Sequence, residues 1–204
     1  MRLVGQFRDL EDPNRFVWIR RFPGMGVREP ALGAFYSGPV WQAHRGEANP
    51  LLDDNDNVLL LRPSAPGRDF AAPGSPRPPK GAAPAAAGLV VATVYHLWKE
   101  PADGFAAFFE AELRPALEAA GLPVLGAFVP ERAANNFPPL PVREGEKVFV
   151  WFTRVSDQAA HDAALARLEK QAAGPGSVQA RLREQLERQP QVLRLAPTPR
   201  SRLR

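Results

Sequence analysis

Three stretches of the sequence each predict a β-strand, and each of these strands would carry apolar side chains on both of its faces. They are "RFVWIRRF" (15–22), "GLVVATVYHLW" (88–98) and "EKVFVWFTRV" (146–155). Successive side chains of a strand point to opposite faces of a sheet, so polar residues alternate with apolar ones wherever one face meets water. That alternation is missing here. The sequence therefore predicts a sheet that is covered on both faces.

The region 88–197 has the clearest order of elements. Its three predicted strands at 88–99, 122–131 and 146–155 are followed by helices over 157–172 and from 177, and by the last strand "QVLRLAP". Between the first two strands lies a predicted helix over 104–121, with one apolar stripe formed by Phe105, Phe108, Phe109, Leu113 and Leu117. The resulting order β-α-β-β-α-β is typical of a ferredoxin-like unit.

The region 1–63 repeats the later part of this pattern. "LVGQFRD" followed by "RFVWIRRF" matches "VLGAFVP" followed by "KVFVWFTRV", and a helical segment from about Arg28 to Ala48 and a strand "NVLLLRP" come next. This half, β-β-α-β, lacks an opening strand and helix. We expect either that "NVLLL" pairs directly with "RFVWIRRF" or that the true start of the protein lies upstream of Met1.

The repeat and the two-sided strands together predict the fold class. We expect an α+β protein with two ferredoxin-like halves of the dimeric α+β barrel type, the first incomplete and the second β-α-β-β-α-β. Their sheets would lie face to face, with helices outside. Residues 64–87, rich in Pro, Ala and Gly, are predicted to be a mobile linker, and residues 198–204 a basic, solvated tail.

Composition excludes several classes of function. Without cysteine there is no disulfide, thiolate metal site or cysteine nucleophile, and no metal-ligand spacing occurs. No apolar run is long enough to span a bilayer, so we expect a cytoplasmic protein. The net charge of +4 comes partly from the basic C-terminal segment, and basic and aromatic residues do not interleave as a nucleic-acid surface requires. Neither nucleic acid nor membrane is an expected partner.

Two arginines are the first candidates for a ligand site. Arg20 lies within the strand 15–22, and Arg28 begins the helical segment. An arginine that points into a barrel can hold an anion with its forked guanidinium. The competing interpretation, which we favour, is that Arg20 pairs with Asp9, Glu11 or Asp12 across the hairpin and that Arg28 flanks the helix.

Aromatic and histidine side chains supply the other candidates. Tyr36, Trp41 and His44 surround the helix break "SGPVW", and they either line a pocket, with His44 as a general base or haem ligand, or simply pack. His96, on the strand 88–98, either faces the barrel or is a hydrogen-bonded core residue. His161 has neighbours that indicate exposure.

A family resemblance adds to this interpretation. "GQFRDLEDPNRFVWIRRFPGMGVREPALGAFYSGPVWQAHRGEAN" (5–49), followed by "DNVLLLRP", resembles the NIPSNAP family, in particular bacterial members with two copies of the domain. The resemblance is strong over residues 1 to about 63 and looser over 88–196. It implies a fold similar to dimeric α+β barrels, which also house small monooxygenases and haem-degrading enzymes. The sequence departs from the family pattern because it lacks the opening strand and helix.

The resemblance implies no reaction, because the family has no established set of catalytic residues. We therefore expect a protein that acts through small-molecule binding or assembly, with no cofactor. The ligand would be small and apolar or anionic. For the assembly two alternatives stay open: the two halves satisfy each other, or they leave a sheet free for a second chain in a homodimer. The competing hypothesis is a monooxygenase-like or haem-binding barrel enzyme that uses Tyr36, Trp41, His44 or His96.

Overall fold

The computed structural model describes residues 1–71, 77–83, 88–171, 174 and 176–204. The strands are β1 (Arg2–Asp9), β2 (Phe16–Arg21), β3 (Leu61–Pro63), β4 (Leu89–His96), β5 (Val124–Pro130), β6 (Val148–Val155) and β7 (Gln191–Pro197). The helices are α1 (Met25–Tyr36), α2 (Pro39–Ala48), α3 (106–119), α4 (Gln158–Gln171) and α5 (Val178–Gln185). Within α3, Ala106–Phe108 and Arg114–Ala119 are α-helical and Phe109–Leu113 has π-type hydrogen bonding.

Local sequence explains where several helices begin. The break between α1 and α2 falls at the predicted position, where Gly38 has an extended backbone and Pro39 occupies the first turn of α2. Asp157 caps α4, since its carboxylate accepts a hydrogen bond from the Ala160 amide at 2.8 Å. Ser177 caps α5 in the same way. No helix in the described parts of the chain is long and apolar enough to cross a bilayer.

The strands form one antiparallel sheet of seven, in the order β2-β1-β7-β4-β6-β5-β3. The expectation of two sheets face to face is therefore wrong for the described residues. Of the two alternatives for "NVLLLRP", direct pairing with "RFVWIRRF" is also wrong, because β3 pairs with β5. The four strands of 88–197 leave β7 and β5 as edges, and an unpaired edge offers free backbone donors and acceptors. The hairpin β1–β2 occupies one edge and β3 the other.

The sheet curls so that its two ends approach each other. Arg21 at the end of β2 forms an ion pair with Asp69, which follows β3 in the chain. Helix α1 connects the same two regions, because Phe35 contacts Trp18 of β2 while Arg28 binds the loop between β5 and β6. The fold is thus α+β with a curled sheet, and it is compatible with an α+β barrel.

The hairpins β1–β2 and β5–β6 share a local irregularity. Each has a shift of register beside a glycine, at Gly5 and Gly126 respectively. A Cβ atom at Gly5 would lie 2.2 Å from the ring of Phe7, and one at Gly126 would lie 2.8 Å from the ring of Phe128. Glycine is required at both places because the aromatic ring two residues later lies over the bare backbone.

The face of the sheet that carries α3, α4 and α5 holds the larger core. The predicted apolar stripe on the helix after β4 is confirmed, because all five of its residues are buried there: Phe105, Phe108, Phe109, Leu113 and Leu117. They meet Phe149 and Trp151 of β6, and the Phe109 and Phe149 rings are 4.5 Å apart. This side of β6 is apolar because it lies under helices.

The opposite face lines the interior of the curl and is equally apolar. Its buried side chains come from five strands, and Phe70 covers them, 4.9 Å from the ring of Phe128 and 5.0 Å from that of Phe152. Phe70 belongs to the segment predicted as a mobile linker. Residues 64–71 instead follow β5, where the Ser64 amide donates to the Ala127 carbonyl at 2.9 Å. The rest of that prediction partly falls on 72–76 and 84–87, outside the described residues.

The basic tail also lies on the protein, contrary to the expected solvated end. Ser201 is fully buried and accepts a hydrogen bond from the Gln6 amide at 3.2 Å. The Leu203 amide donates to the Val4 carbonyl at 2.9 Å. The tail therefore adds backbone hydrogen bonds alongside β1, which explains how a charged segment remains ordered.

Candidate functional site

Four of the six predicted site residues converge outside the curl, between β2, α1 and the β5–β6 loop. We call this group, together with four neighbours, the arginine–aromatic cluster: Trp18, Arg20, Arg28, Tyr36, Trp41, Asn135, Asn136 and Phe137. β2 supplies the first two residues, α1 and α2 the next three, and the loop the rest. Arg28 and the loop residues that it contacts are more than 100 residues apart in the sequence.

Arg20 adopts neither of the two arrangements considered from the sequence. Its neighbours Val17 and Ile19 face the interior core, so Arg20 points away from it. The hairpin carboxylates have other partners, since Arg15 binds Asp9 at 2.8 Å. Arg20 instead places its guanidinium carbon 4.5 Å from the ring centre of Trp18 and donates a long hydrogen bond of 3.4 Å to the Tyr36 hydroxyl.

Arg28 is buried, with 2% of its surface exposed. Its Nη1 donates to the side-chain oxygens of Asn135 and Asn136, each at 2.8 Å. Among the described residues no carboxylate lies within 4 Å of it. Burial, and secondarily the charge of Arg20, lowers the pKa of Arg28. Arg28 thus does more than flank the helix, because it is a buried cation held by neutral groups.

The aromatic members of the cluster form a connected wall. The rings of Tyr36 and Trp41 are 5.2 Å apart and perpendicular, and Phe137 stacks on Tyr36 at 5.9 Å. Phe35 connects them to Trp18, which remains 39% exposed. The wall therefore ends in an aromatic face that solvent, or the ring of a ligand, can reach.

The three histidines lie apart from this cluster. His44 is exposed on α2, 3.8 Å from Glu47. His161, expected to be exposed, is 2% exposed, because α4 turns it towards the sheet. His96 is 5% exposed at the end of β4, and the Nη2 atom of Arg188 lies 3.0 Å from both of its ring nitrogens.

Sequence reasoning missed the loop side of the cluster. The adjacent asparagines and Phe137 occur in a Pro-rich segment whose composition predicted only a loop. Asn136 is held by donating to the Met25 carbonyl at 2.8 Å, and Asn135 by donating to the Leu140 carbonyl at 2.9 Å. The two neighbouring amides were the available signal, since both oxygens can face one donor.

No three potential metal-binding side chains of the His, Cys, Asp or Glu type come together in the described part of the molecule. Comparison with known proteins found no matching family model, no matching curated protein and no matching solved structure. The resemblance to the NIPSNAP family therefore stays a prediction.

Proposed function

We propose that this protein binds a small aromatic anion, and that the arginine–aromatic cluster is the binding site. The observation that carries the proposal is the buried guanidinium of Arg28 beside a second arginine, Arg20, with no carboxylate to balance either within the described residues. An unbalanced buried charge is costly, and a bound anion would offset that cost.

The charges support the anionic half of this ligand. Arg28 uses only Nη1 in its bonds to the asparagine oxygens, and the remaining guanidinium donors have no acceptor within the described residues. Arg20 is held weakly, by one long hydrogen bond and the face of Trp18. A carboxylate or phosphate group accepts from guanidinium forks in the geometry that these donors offer.

The aromatic wall supports the other half. Trp18 is partly exposed beside Arg20, and an incoming ring can stack on it while the anionic group meets the arginines. Phenyl phosphate combines these features and serves as the probe. NIPSNAP membership and an α+β barrel remain part of the same proposal, supported by the motif in 5–49 and by the curled antiparallel sheet.

The proposal predicts that phenyl phosphate binds wild-type protein and that Arg20→Gln weakens its affinity at least about tenfold, because a charge-assisted hydrogen bond is lost. The measurement is a titration followed by the NMR signals of the four tryptophan indole groups. Trp18 and Trp41 should shift saturably, whereas buried Trp151 should not.

Arg8→Gln is the matched control, because it removes the same charge from an exposed position on the neighbouring strand β1. Arg28→Gln should weaken binding too, but it also loosens the β5–β6 loop, so Arg20 is the cleaner test. The proposal fails if phenyl phosphate leaves Trp18 and Trp41 unshifted, or if Arg20→Gln and Arg8→Gln bind it equally well.

A further inference from the structure

A polar cleft separate from the arginine–aromatic cluster lies where β4 ends. It is on the same face of the sheet as the interior core, because His96 continues the alternation of Val90, Ala92 and Val94 along β4. Its volume is about 330 Å³, near the lower end of the usual range for small-molecule sites. The residues that line it are His96, Arg143, Arg188, Gln189 and Gln191. All five side chains can donate hydrogen bonds when His96 is protonated, and none is a carboxylate.

Two backbone hydrogen bonds hold the segments that carry these groups in place. The Glu187 amide donates to the His96 carbonyl at 2.8 Å, which fixes the segment after α5 against the end of β4. The Arg143 amide donates to the Val58 carbonyl at 2.8 Å, which anchors the loop before β6. The cleft is thus built between ordered segments rather than by one flexible chain end.

The two arginines of the cleft are in different electrostatic states. Arg143 is largely neutralised, because it binds Glu146 at 2.8 Å and also donates to Asn57 at 3.1 Å. Arg188 has no carboxylate within 4 Å among the described residues, and its Nη2 lies against the imidazole of His96. Arg188 therefore leaves one uncompensated positive charge at the cleft.

His96 can supply a second positive charge. Burial, then the charges of Arg188 and Arg143, lowers its pKa, while Glu146 and Glu187 oppose that shift. The imidazole is consequently neutral at neutral pH. An anion placed between it and Arg188 would favour the imidazolium, because opposite charges stabilise each other.

We propose that this cleft binds a small, doubly charged oxyanion between Arg188 and His96, with the amide groups of Gln189 and Gln191 as further donors. Charge matching supports a dianion, since Arg188 contributes one charge permanently and His96 a second on protonation. Sulfate and a short dicarboxylate such as malonate share this chemistry. The site is independent of the arginine–aromatic cluster and of the ligand proposed there.

The test is calorimetric titration of the full chain with sodium sulfate and, separately, with malonate, each compared with sodium chloride at equal ionic strength. We expect saturable binding of at least one dianion. Binding of sulfate alone would assign the ligand to the tetrahedral oxyanions, and binding of malonate alone would assign it to the dicarboxylates. Arg188→Gln should weaken affinity at least about tenfold. Arg183→Gln, an exposed arginine of α5 outside the cleft, should leave affinity unchanged.

The pH dependence provides a second measurement that a general loss of charge would not reproduce. Sulfate keeps its charge between about pH 5 and about pH 8, so wild-type affinity for sulfate should rise as the pH falls through the range where His96 protonates. His96→Gln should remove this dependence. Absence of saturable binding, equal affinities in Arg188→Gln and Arg183→Gln, or a wild-type affinity that does not vary with pH would each overturn the proposal.

Discussion

Replacing Phe149 with alanine should lower the free energy of unfolding by about 3–5 kcal/mol. Phe149 is fully buried in β6, with the rings of Phe109 and Phe105 at 4.5 Å and 5.1 Å. Removing the ring forfeits its burial and leaves a cavity between the sheet and α3, which neighbouring rings held by regular elements can fill only partly. Urea unfolding followed by circular dichroism measures the change.

Phe16→Ala is the matched control for this prediction. Phe16 lies on β2 with 54% of its surface exposed, so its loss should cost less than about 1 kcal/mol. Equal destabilisation by the two substitutions would contradict the position of Phe149 in the core under α3.

Phe70→Ala should lower the free energy of unfolding by about 3 kcal/mol, although the sequence around Phe70 is typical of a linker. Phe70 is 8% exposed and covers the interior face of the sheet between Phe128 and Phe152. Its truncation would expose two further aromatic rings as well as remove its own buried surface. The same unfolding measurement applies.

Phe70→Leu provides the comparison, because leucine retains much of the apolar volume at this position and should lose clearly less stability than alanine. A cost below about 1 kcal/mol for Phe70→Ala would show that residues 64–71 do not cover the sheet in solution. That result would restore the interpretation of this segment as a mobile linker.

The candidate sites were foreseeable only in part. A charged or large aromatic side chain in such a segment needs a partner, which made candidates of Arg20, Arg28, Tyr36 and Trp41. These four residues do lie together. Their partners were not foreseeable, because Asn135 and Asn136 are more than 100 residues away from Arg28 in the chain. The same holds for Arg188, 92 residues from His96.

Local periodicity determined much of the fold. The stripe on α3, the break before Pro39 and the cap at Asp157 depend on residues within one or two helical turns of each other, so the sequence states them directly. The two-sided apolar pattern likewise predicted cover on both faces, which the structure confirms for β4 and β6. It was wrong for β2, where Phe16 and Trp18 remain exposed on the outer face.

The tertiary structure alone decided what provides that cover and which edges pair. The sequence suggested a second sheet, but Phe70 and the side chains of the curled sheet itself fill the interior, and β3 pairs with β5 rather than β2. Backbone hydrogen bonding is nearly blind to side-chain identity, so any free strand edge can accept any strand. Which edge is occupied depends on the geometry of the whole sheet, and so does the approach of Arg20 to Arg28 on its outer side.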